Sequence, residues 1–219
     1  APEESESLTV GAVITPESVP GLTLTIDYFD ITVEDGIGTV SAKTALDKCI
    51  STGSAQYCGL INRQAGTGSL WLSGGYISQQ LTNIGEETTS GVDVIFDYSF
   101  ETSYGPVEVQ GVTTFLDTYD ITELPGASPI ACSGNWGGSC GKNPLPETSG
   151  KYKATLSTEW DTDVSLGLRY LGETTDLNSN KIDFDATTYI DVTLQHMPTE
   201  NLVVTFGINN LFDEEPGYT

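Results

Sequence analysis

Few of the 219 residues have the types and spacing that chemistry needs. The single histidine, His196, has no motif-bearing serine or cysteine to activate, so no nucleophile-and-base pair emerges. Glu86-Glu87 and Glu214-Glu215 are carboxylate pairs, but neighbours on a strand point to opposite faces, and a shared acid-base site does not follow. The residues therefore argue against an enzyme. Two other groups have binding chemistry. Asp176-x-Asn178-x-Asn180, followed by Asp183, places hard oxygen atoms at alternate positions as a calcium loop does, although Lys181 stands where such a loop has its glycine. Calcium is the one cofactor suggested, against the plainer reading of a solvated polar loop. Between Cys132 and Cys140, Asn135 and Trp136 offer an amide and a ring at a loop tip, where they would orient and stack on a ligand. The competing reading has the tryptophan packed on a neighbouring loop.

The four cysteines form two close pairs, Cys49 with Cys58 and Cys132 with Cys140, each enclosing a short polar segment. Zinc would want tight C-x-x-C pairs or several histidines, so two local disulfides are expected. Disulfides place these loops in an oxidising space: the periplasm, the cell surface or the exterior. The formal net charge of −23 repels phosphate backbones, which excludes nucleic acid as a partner. No apolar run reaches the ~18 residues of a spanning helix, which leaves a membrane barrel open because its strands alternate. The chain begins without Met or a signal segment and reads as mature or internal sequence.

What would position these groups is β-structure. Leu22, Leu24, Ile26 and Tyr28 share one face of a strand opposite Thr23, Thr25 and Asp27, and the same alternation runs through Val92–Phe100, Val164–Tyr170, Ile190–Gln195 and Leu202–Asn209. Connections alternate between short (Pro16–Gly21, Thr102–Gly105, Asp161–Asp163, Met197–Asn201) and long (35–68, 122–150, 174–183). About eight strands follow, near 7–15, 22–34, 78–101, 106–121, 150–160, 164–173, 184–196 and 201–212. Residues 69–77 also read as β, either extending the third strand or forming a hairpin in the outer loop, and Ser41–Ile50 has helical spacing. Alternation alone fits both a soluble sandwich, with the apolar face in a core, and a membrane barrel, with that face on lipid. Aromatic residues at stripe ends (Tyr28, Phe100, Trp160, Tyr170) and the short-long parity of the loops favour an all-β, antiparallel up-and-down membrane barrel with long disulfide-tied outer loops. On that reading Asp93, Asp97, Arg169, Asp191, Gln195 and Asn209 face the lumen as a wet, mostly acidic wall.

The segment Asn201-Leu-Val-Val-Thr-Phe-Gly207-Ile-Asn209-Asn210-Leu211-Phe212-Asp213-Glu-Glu-Pro216 resembles the penultimate strand of TonB-dependent outer-membrane receptors. Thr89-Ser-Gly-Val-Asp93, Leu24 to Ile31 and Thr188-Tyr-Ile-Asp191 resemble other stretches of that family in the same order. The resemblance implies the C-terminal portion of a barrel of about 22 strands, with residues 1–219 forming a single barrel segment. The plug domain and last strand are not present in it. It further implies an outer-membrane receptor taking up a scarce nutrient, such as a siderophore, a corrinoid or an oligosaccharide. The expected partners are that substrate, membrane lipid and, through the plug, an inner-membrane energy-transducing protein. The long loops would face the exterior. The alternative is an extracellular, secreted or released β-rich fragment that binds glycans or self-associates through its open edges into fibres.

Overall fold

The computed structural model of the chain describes residues 2–178, 182–215 and 217. In chain order the elements are β1 (Glu4–Ile14), β2 (Leu22–Gly38), α1 (Ala42–Thr52), α2 (Ala55–Cys58), β3 (Ile61–Asn62), β4 (Tyr76–Ile77), β5 (Thr82–Thr102), β6 (Gly105–Thr122), β7 (Ile130–Ala131), β8 (Asn135–Trp136), β9 (Thr148–Thr158), β10 (Thr162–Leu171), β11 (Thr175–Asp176), β12 (Thr187–Thr199) and β13 (Leu202–Ile208). The long strands hydrogen-bond in the order β1-β2-β5-β6-β9-β10-β12-β13, with β7 added on β6. Each long strand thus pairs with the next one in sequence, as an up-and-down sheet requires, and β1 and β13 are its edges.

Register follows from the tight turns. In β9 and β10 Thr158 stands opposite Thr162, which sets Leu156 opposite Val164 and Lys151 opposite Arg169. In β10 and β12 Val164 pairs with Leu194 and Leu166 with Val192, and β13 continues the rows with Phe206 and Ile208. One face therefore carries rows such as Val107, Leu156, Val164, Leu194 and Phe206, while the other carries Asp163, Gln195 and Thr205. A one-residue slip would exchange the two faces completely.

The residues group into two compact units by their contacts. The first, residues 1–5, 33–87 and 122–128, contains the small helical lobe. Ser41 caps α1 by accepting the Thr44 N–H at 3.0 Å, and Gly53 ends it in the left-handed region with φ 66°. Val40, Ala45, Tyr57 and Leu124 form its buried core, flanked by Cys49, Leu60, Ile77 and Ala127. Residues 69–77 do not extend the third long strand: Tyr76–Ile77 pairs with Ile61–Asn62 inside the loop, while Trp71 and Leu72 lie in bends outside any ladder. The helix runs two residues past Ile50, because the Gly53 cap rather than the apolar spacing sets its end.

The second unit, residues 6–32, 88–121 and 129–219, holds most of the sheet. Among the described residues, every buried large apolar side chain lies outside the long strands. Within the sheet Leu166 is 51% exposed, Phe206 64% and Ile208 42%. Among the described residues no second protein layer seals the apolar face.

Gly105 sits at φ 127°, and a Cβ there would fall 1.9 Å from the Ser157 carbonyl oxygen of β9. Gly53 has the same handedness with open space around it. Gly53→Ala is expected to cost about 1 kcal/mol, and Gly105→Ala about 3 kcal/mol or more because backbone must move. Equilibrium unfolding of both variants in detergent checks the order; equal losses would contradict the close approach.

Candidate functional site

The polar face of β9, β10 and β12 is built on cross-strand pairs. Arg169 donates from Nε to Asp191 Oδ2 at 2.9 Å and from Nη2 to Oδ1 at 3.1 Å, and its guanidinium lies 5.0 Å from the centre of the Tyr189 ring. The bidentate fork plus the ring fixes the long side chain in one pose. Lys151 stands directly opposite Arg169, and Lys153 opposite Gln110 of β6 on one side and Gly167 of β10 on the other. Two open recesses adjoin this row. One, of about 490 Å³, is lined by Val112, Ser149, Lys151, Arg169, Leu171 and Tyr189; the other, of about 320 Å³, is lined by residues of both faces, among them Phe96, Gly111 and Tyr152 beside Asp97, Lys151 and Lys153.

Asp93 shares this face and accepts a hydrogen bond from Thr114 Oγ1 at 2.6 Å, and Gln195 lies between Asp163 and Thr205. Asn209 lies one residue past the end of the last strand. β13 ends at Ile208, and the chain turns so that the Asn210 N–H donates to Asp191 Oδ1 at 2.8 Å. Asn210 adopts φ 53°, and its side chain clasps Glu214, accepting from that residue's N–H at 2.9 Å and donating to its carbonyl at 3.0 Å. This is why an Asn-Asn pair stands there: asparagine tolerates the left-handed region and closes the turn with its own amide. Asp191 therefore joins three elements, holding Arg169 with one hand and the end of β13 with the other.

The wall is also less uniformly acidic than counting Asp and Glu suggests. The eight long strands carry three basic side chains, Lys151, Lys153 and Arg169, and the register puts all of them on this face. Lys151, Lys153 and Tyr189 were legible in the alternation of β9 and β12, since the register of the short β9–β10 turn places Lys151 beside Arg169.

The outer connections are tied by the two disulfides. Cys49–Cys58 and Cys132–Cys140 have Cα separations of 4.8 and 5.4 Å. Trp136 is not presented at a free tip. β8 pairs in parallel with β11, the Trp136 Nε1 donates to the Ile182 carbonyl at 3.1 Å, and its ring meets Phe184 at 5.0 Å. The Asn135 amide donates to the Ala131 and Ser133 carbonyls at 3.2 and 3.0 Å. The Asn135 Nδ2 and Trp136 Nε1 donors are thus used in loop packing.

The Asp-x-Asn run behaves similarly. Asp176 is 3% exposed, and its carboxylate accepts the Asn178 N–H at 2.7 Å and the Ile182 N–H at 3.2 Å. The Asp183 carboxylate accepts the Asp176 N–H at 2.9 Å, and Asn178 Oδ1 accepts from the Gly138 N–H at 3.0 Å. These oxygens point at backbone donors rather than at a common centre, and no group of three or more acidic, histidine or cysteine side chains suited to a metal occurs among the described residues. Asn180 lies outside them.

A family model described as TonB dependent receptor-like, beta-barrel matches residues 1–211. Among solved structures, the FrpB iron transporter from Neisseria meningitidis superposes with a TM-score of 0.62 at 11% identity, over 99% of this chain and 27% of that one. The ferric enterobactin receptor of Pseudomonas aeruginosa gives 0.63 at 12% identity, over 97% and 26%. The pyoverdine receptor FpvA of Pseudomonas aeruginosa gives 0.59 at 13%, over 98% and 26%. At these identities the likeness is one of fold, and the chain spans about a quarter of the length of the receptors it matches. No curated protein matches it.

Burial pushes the Asp176 carboxyl upward, but the hydrogen bonds from Asn178 and Ile182 outweigh it and hold the group below the ordinary carboxylate range. A depressed folded pKa stabilises above the unfolded value, near ~3.9, and that contribution is lost as pH falls through the folded value. Protection of the Asn178 and Ile182 amides, taken relative to the intrinsic exchange rate at each pH, should thus hold from neutral pH down to about 4 and fall below. In Asp176→Ala two inward-facing N–H groups lose their acceptor, costing the loop about 1–3 kcal/mol, and exchange should be fast at neutral pH too. Unchanged exchange in the variant would contradict the clamp.

Proposed function

The chain belongs to the TonB-dependent receptor-like β-barrel family, and from that premise we propose that it forms the wall and outer loops of an outer-membrane receptor importing a scarce nutrient. The family and its structural neighbours are receptors and transporters of the outer membrane, not enzymes. The observation that carries the reading is the pair of faces on an unlayered sheet: a continuous apolar side left exposed, and a polar side bearing Asp93, Asp97, Arg169, Asp191 and Gln195. In a barrel the first contacts acyl chains and the second lines the lumen.

Substrate capture belongs to the long connections. The Asn135 Nδ2 and Trp136 Nε1 donors are engaged within the fold and hold the β8–β11 loop pair in shape beside a third recess, lined by Ser133, Glu147, Glu173 and Thr175. The structural neighbours include an iron transporter, a copper transporter and two siderophore receptors, which supports a metal or metal-chelate nutrient as the cargo class. An inner-membrane energy-transducing protein, acting on a plug, would open the lumen.

Two measurements test this. Cells deleted for the full reading frame should lose high-affinity uptake of one scarce nutrient, and dissipating the proton gradient in wild-type cells should abolish the same uptake. The purified chain should stay dispersed only in detergent. A monodisperse species in plain buffer, with uptake unaffected by deletion, would favour the secreted glycan-binding or fibre-forming alternative instead.

A further inference from the structure

Resting on that reading of the polar face as the lumen side, we propose that Lys151, Lys153 and Arg169 form a binding site for a small polyanion carrying two or more carboxylate or phosphate groups. Cations are scarce in this chain, 8 against 31 acidic residues. That scarcity gives their placement meaning. The three carried by the long strands share one face of one hairpin, in adjoining cross-strand positions. Strand geometry spaces the Cα atoms of Lys151 and Lys153 by about 7 Å and those of Lys151 and Arg169 by about 5 Å. Two anionic groups of one small molecule span such a distance.

Like charges directly opposite each other on a sheet are destabilising. The fold lowers that cost only for Arg169, through Asp191. Lys151 and Lys153 are exposed, and neither makes a hydrogen bond or ion pair among the described residues. Asp97 lines the same recess as both lysines but makes no ion pair with either, and Glu108 and Asp163 are the other acids facing from β6 and β10. Two ammonium groups thus remain without partners on this face, Lys151 at the rim of the recess it shares with Arg169. Gly167 opposite Lys153 removes a side chain that would otherwise stand in the way. Arg169 is held rigid by its fork and by Tyr189, so little side-chain freedom is lost when it adds a further acceptor. The row also lies within two to five residues of the strand ends Thr148 and Leu171, where the long connections attach. An anion entering past the outer loops meets it early.

The test uses the full-length receptor in detergent at low salt, titrated calorimetrically with citrate and with pyrophosphate, with trimethyl citrate as the uncharged control. Both polyanions should bind and the triester should not. Lys151→Gln/Lys153→Gln should weaken binding tenfold or more, Lys151→Arg/Lys153→Arg should restore it, and Lys142→Gln in the outer loop should leave it unchanged. Added salt should weaken it further. Absence of saturable binding up to about 10 mM, or equal affinity in the glutamine variant, overturns the site. So does a glutamine variant whose only defect is a lower melting temperature, since the cations would then serve another segment of the protein. Nutrient uptake is measured in the same cells: uptake without polyanion binding removes this site and leaves the transport reading standing, whereas failure to reach the outer membrane removes both.

Discussion

A single sheet must satisfy its backbone hydrogen bonds between neighbouring strands, because among the described residues no other layer packs on it. The sequential antiparallel order of the long strands does this everywhere except at β1 and β13. That completeness is what permits Val164, Leu166, Leu194 and Phe206 to turn outward. Hydrocarbon tolerates apolar side chains but not an unpaired N–H or carbonyl. The open edges are the cost of the arrangement, and each needs a further strand. Register is the other half of the constraint. The tight β9–β10 turn aligns the apolar rows, and the same alignment gathers Arg169, Asp191, Lys151 and Lys153 on the opposite side.

The outer connections obey a different rule. Too long to be held by the sheet, they carry small cores or clamps of their own. The helical lobe closes over Val40, Ala45, Tyr57 and Leu124 and is stapled by Cys49–Cys58. The later loops are joined by β8–β11 pairing, by the Trp136–Ile182 hydrogen bond and by the two backbone amides gathered on Asp176. Fixed geometry of this kind leaves little freedom to be lost when a loop binds.

Most of the sheet was legible in the chain because a strand's signal is local. Apolar residues at period two, bounded by Pro16–Gly21 or Thr102–Gly105, declare both the strand and its faces, and the strand limits shift by only a few residues. Cysteine spacing likewise declared both disulfides. The loops were less legible because their partners are distant: Trp136 and Ile182 are separated by 46 positions, and no local pattern announces that the indole will be used up there. The Asp-x-Asn run was ambiguous for a related reason, since alternate oxygens suit a metal and a backbone clamp equally until the chain direction is known. At Asn209 the alternation has no strand left to speak for, since β13 ends at Ile208 and the left-handed Asn210 follows.

The central claim is that the apolar side of the sheet faces lipid while its neighbour faces water, and adjacent residues of β12 test it most directly. A nitroxide placed at Leu194→Cys, and separately at Gln195→Cys, in the full receptor reconstituted into liposomes reports its surroundings through collisions with oxygen or with a water-soluble nickel chelate. Lipid contact requires the Leu194 label to respond to oxygen and ignore nickel, and the Gln195 label to do the reverse. A Leu194 label shielded from both reagents would mean that protein covers that face, and the membrane assignment would fall.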